Sequence, residues 1–206
     1  MSILSRVPNL LWWLVCVGVA LVSWRFLIGG VAVTMPAMLP QFENRALILY
    51  AHIGLAPVAL LILPFQFSSR FRTARSRLHR LMGRSYGLAV LLSGMAGLVL
   101  AVRTETGLAP WTGLGFASLA VLWLATTAQA VRLAMARRIE AHRRWMTRSA
   151  ALTVAAVTLR IELPLMVFGF GLDFGVAYTI VAWLCWVPNL LIAELWLARR
   201  RPLPAP

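Results

Sequence analysis

Apolar residues in this chain gather into six long stretches, at roughly 9–31, 46–66, 81–102, 113–134, 149–170 and 175–197. Each has about the 20 residues that a helix needs to cross a hydrocarbon core roughly 30 Å thick. Short polar segments rich in turn residues separate them, among them SSRFRTARSRLHR, RTETGLAP and FGFGLDFG. The strict apolar/polar alternation of a membrane barrel strand is absent. The pattern predicts an all-α fold, a polytopic transmembrane bundle of six spans forming a single domain over residues 1–206. Before the first stretch stands only Arg6, and no small-residue cleavage site follows it, so the stretch reads as an uncleaved first helix.

Composition agrees. Of 206 residues, 61% are hydrophobic and 13% charged, and mean hydropathy is +0.81, whereas soluble domains carry about 25% charged residues. That excludes a water-soluble enzyme, a disordered basic tail and a disulfide-stapled secreted domain. Cys16 and Cys185 lie in apolar runs without metal-ligand spacing and read as small packing residues. The formal net charge is +14 and every basic residue is Arg. With the N-terminus inside, one side collects Arg70, Arg72, Arg75, Arg77, Arg80, Arg84, Arg132, Arg137, Arg138, Arg143, Arg144, Arg148, Arg199, Arg200 and Arg201, with Arg6. The other side keeps Arg25, Arg45 and Arg103. Arginine-rich short loops stay cytoplasmic, so both termini are expected in the cytoplasm and the chain in a bacterial inner (plasma) membrane. The same face is expected to attract anionic headgroups, at about 1 kcal/mol per basic residue. The charge serves insertion, and no nucleic-acid partner is expected.

The two long arginine-rich loops echo each other. One ends His79-Arg80-Leu81-Met82-Gly83-Arg84-Ser85 and the other His142-Arg143-Arg144-Trp145-Met146-Thr147-Arg148-Ser149, with the His-Arg pairs 63 residues apart. A hairpin duplicated in the same orientation would give that spacing. These motifs, with Pro64-Phe65-Gln66-Phe67, Tyr86, His52 and Leu159-Arg160, resemble a widespread family of predicted bacterial membrane proteins of unknown function. The resemblance runs from about residue 42 to residue 165 and leaves out the first and last stretches. It implies that His52, His79, His142 and Arg160 belong to the family pattern, and it supplies no reaction.

An ionisable group inside a membrane helix costs a few kcal/mol on insertion scales and so needs a partner or a role. His52, Arg160, Glu162 and Glu194 are such groups. At 1.5 Å per residue, His52 lies roughly 10 Å below the outer surface, and Arg160 and Glu162 roughly 18–21 Å up from Arg148. These three therefore share the outer half. Arg160 and Glu162 are two apart and point to opposite sides of their helix, so His52 is expected to pair with Glu162. The cluster reads either as a structural polar staple or as a proton or ligand site. Pro164 would free a carbonyl near residue 160. Glu194 reads as an interfacial ion pair with the cytoplasmic arginines, and Arg25, beside Trp24, as a snorkelling side chain.

His79 and His142 stand at the cytoplasmic entrances of the third and fifth stretches. One histidine from each of two helices is what a b-type haem needs for its axial ligands, with Arg80, Arg143 and Arg144 as donors to its propionates. Gly83, Gly87 and Gly94 would admit either a neighbouring helix or a flat ring. The alternative is that these His-Arg pairs hold a lipid phosphate or shape the loops. Three histidines allow one bis-histidine haem at most. No nucleotide loop, metalloprotease motif or cysteine ligand set is present in the sequence. The functional expectation is a small redox subunit, similar in general architecture to the b561-type cytochromes. It would have haem iron at His79 and His142, a quinone or proton site at His52, Arg160 and Glu162, and a quinone or a larger membrane complex as partner. The alternatives are a proton-coupled transporter of a small anion and a non-catalytic assembly or lipid-binding protein.

Overall fold

The computed structural model describes residues 3–103 and 109–200, with side chains from residue 10 onward. Most of the RTETGLAP connection, Arg201 and the side chain of Arg6 lie outside the described residues. Among the described residues all regular structure is helical. Six segments are long and apolar enough to cross a membrane: Leu10–Ile28, Pro36–Phe67, Ser76–Val102, Pro110–Met135, Ile139–Gly169 and Phe174–Arg199, here spans one to six. Each overlaps one expected stretch. The boundaries differ most where arginines continue a helix past the apolar run. Span five starts at Ile139 and carries the whole HRRWMTRS motif as helix, because Arg, Met and Trp all tolerate helical backbone once a neighbour packs against it. Span two starts earlier than expected, at Pro36, and breaks at Arg45 (φ −148°, ψ 45°) before running on to Phe67.

Spans two, three, four and five pack successively side by side, and span five also touches span two, closing a four-helix centre. Spans three and five face each other diagonally; no Cα pair between them comes within 8 Å among the described residues. Span one leans on span two, and span six on spans four and five. Cys16, Leu60, Leu63, Tyr86, Val90, Val181 and Cys185 form the inner packing, while Leu10, Leu14, Leu88, Leu92, Val121 and Leu191 face outward. No span has more than 39% of its apolar window buried. A water-soluble bundle would hide those faces; lipid solvates them.

Backbone groups freed inside the apolar layer find side-chain partners, as they must without water. Span six breaks near Trp186 (φ −125°) ahead of Pro188. The Cys185 carbonyl exposed there accepts from Thr158 Oγ1 (2.5 Å) and Asn189 Nδ2 (2.9 Å). The carbonyl of Arg103, past the end of span three, accepts from Gln41 Nε2 at 2.9 Å. Span five changes differently: after Pro164 it widens into a single π turn over Leu165–Gly169. The Asp173 carboxylate then caps the next helix through the N–H groups of Gly175 and Val176.

Spans four and six meet closely at Gly115, where an added Cβ would stand 2.8 Å from the Ala182 carbonyl oxygen. Thr112 and Thr179 share a 2.6 Å hydrogen bond one turn away, and Trp183 Nε1 donates to the Trp111 carbonyl at 2.9 Å. Gly115→Val should therefore force these helices apart and destabilise the protein by about 1–3 kcal/mol, read as an earlier detergent-monitored melt. Gly18→Val, at a glycine with no neighbouring atom within 4 Å of an added Cβ, should leave the melt nearly unchanged.

Candidate functional sites at the two ends of the diagonal pair

At 3.6 residues per turn, positions seven or eleven apart fall on nearly the same helix face. One face of span three carries His79, Tyr86, Ser93 and Gly97, and the facing side of span five carries His142, Ser149 and Arg160. In the middle, the Tyr86 hydroxyl lies 2.7 Å from both Ser149 Oγ and Thr153 Oγ1. Trp123 Nε1 of span four donates to Thr153 Oγ1 at 2.9 Å, and Thr127 Oγ1 sits 2.6 Å from Ser149 Oγ. All five side chains are buried. Sequence reading missed this network because every member is neutral and common. Yet Tyr86 and Ser149 are 63 residues apart, so a gapless alignment of the two His-Arg motifs places one on the other.

At the arginine-rich end, His142 Nδ1 lies 2.8 Å from the Ala130 carbonyl. That contact requires hydrogen on Nδ1, so in the neutral ring it is Nε2 that carries the lone pair. The His79 carbonyl accepts from Gln66 Nε2 at 3.2 Å, and Gly83 leaves room for that glutamine. The His79 ring nitrogen Nδ1 is buried with no hydrogen-bond partner among the described residues. Both histidines stand seven residues before the Tyr86–Ser149 contact, and Arg72 and Arg80 are among the positive groups around His79. Of the three arginines expected beside them, Arg80 is exposed. Arg143 is 3.8 Å from Glu140 with its side chain 56% exposed, leaving it free to turn. Arg144 is engaged, donating to the Leu197 carbonyl at 3.4 Å. The glycine stripe holds helices, since Gln66, Val131 and Leu124 are the nearest neighbours of Gly83, Gly87 and Gly94. Glu194 forms a two-pronged ion pair with Arg148, at 2.5 and 2.8 Å.

At the opposite end, His52 Nδ1 lies 2.9 Å from the Ser93 carbonyl, and its ring rests on Gly97, where a Cβ would approach to 2.9 Å. The expected His52–Glu162 pair is not formed. Arg160 takes the inward face of span five, near His52, and its Nη1 donates to the Ala156 carbonyl at 2.7 Å. Glu162, two residues on, is turned toward Cys185 of span six. Its Oε2 is buried without a hydrogen-bond partner among the described residues. Arg25 lies exposed with its guanidinium 4.9 Å from the Phe26 ring centre, and Trp24 Nε1 donates to the Gly54 carbonyl at 3.1 Å. Arg160, eleven residues beyond Ser149, is thus level with Gly97 and the His52 ring, eleven beyond Tyr86, and neither His52 nor Arg160 pairs with Glu162 among the described residues. Among the described residues, no group of three or more His, Cys, Asp or Glu could hold a bare metal ion.

Six apolar helical spans with polar groups turned inward define a polytopic α-helical membrane protein. Within that class the chain belongs to the DUF2306 family of predicted membrane proteins, whose pattern matches residues 49–197. The match takes in span six, which the motif resemblance leaves out. No curated protein and no solved structure matches the chain.

Tyr86→Phe should cost about 1 kcal/mol, the usual size of interhelical hydrogen bonds in membranes. The expected reading is a modest fall in unfolding midpoint in mixed micelles. Glu194→Gln, which leaves the half-buried Arg148 without its counter-charge, should lower the midpoint by a similar amount, and more at low salt than at high salt.

Proposed function

We propose that this protein is a small membrane redox subunit in which His79 and His142 would hold one haem b at the arginine-rich end. The observation that carries the reading is the shared register of the two histidines. Each stands seven residues before the residue, Tyr86 or Ser149, through which spans three and five are joined across the diagonal. Two turns beyond that bridge, about 10 Å along the axis, helical register assigns both histidine positions to the facing sides of helices whose Cα atoms stay more than 8 Å apart. Tyr86 fills that width at its own level.

The donor set fits the group. His142 is fixed by its Nδ1–H bond to Ala130 with Nε2 left free, the orientation in which ligating histidines are usually held. His79 brings a second, partly buried imidazole with an unpartnered nitrogen. Arg80 and Arg143, both exposed, are the arginines able to turn toward propionates; Arg144 would have to leave Leu197. The bound group would supply one-electron exchange between ferric and ferrous states. The residues of the chain would hold it, neutralise its carboxylates and keep the imidazoles oriented. In this reading the arginine-rich face and both termini are cytoplasmic, the membrane is the bacterial inner membrane, and the arginines also meet anionic headgroups. The electron partner is a quinone or a larger membrane complex.

Absorption spectra of detergent-purified protein, expressed with haem precursor supplied, test this directly. The expected result is a Soret band that shifts and sharpens on dithionite addition, lost in both His79→Ala and His142→Ala and kept in His52→Ala. A featureless spectrum from folded, haem-supplied protein would overturn the reading.

A further inference from the structure

We propose that Arg160, with His52, forms a membrane-embedded site for an anionic oxygen group, a carboxylate or a phosphate, at the end of the bundle opposite the arginine-rich face. The proposal does not depend on haem at the other end. Arg160 stands well inside span five, and a guanidinium there is costly unless it is paired. It offers five N–H donors, and among the described residues one bond uses them, from Nη1 to the Ala156 carbonyl. No described carboxylate lies within ion-pair distance of it. Glu162, the acid nearest in sequence, faces span six instead.

Arg160 lies also in the field of Arg25 from span one and acts on His52 from span two. Arg160, eleven residues beyond Ser149, is level with Gly97, eleven beyond Tyr86, on which the His52 ring rests, so spans two, three and five meet at a positive site whose described members bring no negative charge. In its neutral form His52 adds an acceptor, because its Nδ1–H is committed to the Ser93 carbonyl and the lone pair is then on Nε2. Gly97 fixes the ring there by admitting it where any Cβ would collide. A planar guanidinium fork matches paired oxygens, and an adjacent imidazole lone pair can accept the proton of a phosphate monoester or a carboxylic acid. The ligand enters either as a small anion from the aqueous phase or as the acidic head of a membrane lipid.

The experiment uses the full chain in nanodiscs of neutral phosphatidylcholine. One arm titrates propionate and inorganic phosphate against chloride at constant ionic strength; the other replaces part of the lipid with phosphatidylglycerol. The readout is the thermal unfolding midpoint. The proposal expects a rise in at least one arm. A rise in the first arm names a small anion, and a rise confined to the second names the lipid. Arg160→Gln should weaken the response about tenfold or more, and Arg160→Lys should recover part of it. His52→Ala, which keeps the charge, should weaken it less and covers the case in which Arg160→Gln does not fold. No rise in either arm, or a rise undiminished in both Arg160→Gln and His52→Ala, would overturn the proposal. The second result would assign anion binding to the arginine-rich face instead.

Discussion

One phenol hydroxyl orders this bundle. Spans three and five never approach closely through their backbones, and Tyr86 reaches across the gap to Ser149 and Thr153. In lipid an unpaired hydroxyl has no water to turn to, so this contact sets the rotation of both helices about their axes. Everything polar on those helices follows from that rotation. Seven residues toward the arginine-rich end it brings His79 and His142 onto facing sides, and eleven residues the other way it turns Arg160 inward. The same geometry sends Glu162, thirteen residues from Ser149, to the far side of span five.

The two ends of the diagonal differ in how their charges are balanced. At the arginine-rich end Glu194 clamps Arg148 with two hydrogen bonds, Arg144 donates to span six at Leu197, and Arg80 and Arg143 are exposed. At the opposite end Arg160 leans on a carbonyl of its own helix, beside a histidine that has already spent its proton on Ser93. A comparison of register between the two hairpins brings out this asymmetry. At the 63-residue offset of Tyr86 and Ser149, Gly97 in span three corresponds to Arg160 in span five, and His52 in span two to Gly115 in span four. The first hairpin packs an imidazole on a glycine, and the second puts a glycine against span six and leaves an arginine inward. The two hairpins thus differ at these paired positions.

The spans were legible in the sequence because lipid demands long apolar runs and tolerates little else. Their ends were less so, since the segments before spans three and five are polar by composition yet helical by continuation. The opposed directions of Arg160 and Glu162 followed from their spacing, but the identity of the partner did not. Spacing says that two residues on one helix diverge, and only the packing of spans one, two and six decides which of them meets His52. The Tyr86 network was invisible for a chemical reason. Neutral hydroxyls cost little to insert, so they leave no mark in a charge or hydropathy pattern, although the fold turns on them.

If the diagonal pair is built as a clamp, the two imidazoles at its arginine-rich end act on one object. Electron paramagnetic resonance of the oxidised, haem-supplied protein tests that most directly. The account predicts a low-spin ferric signal from two imidazole ligands, lost when either His79 or His142 is replaced. A high-spin signal, or haem bound unchanged without those histidines, would contradict it.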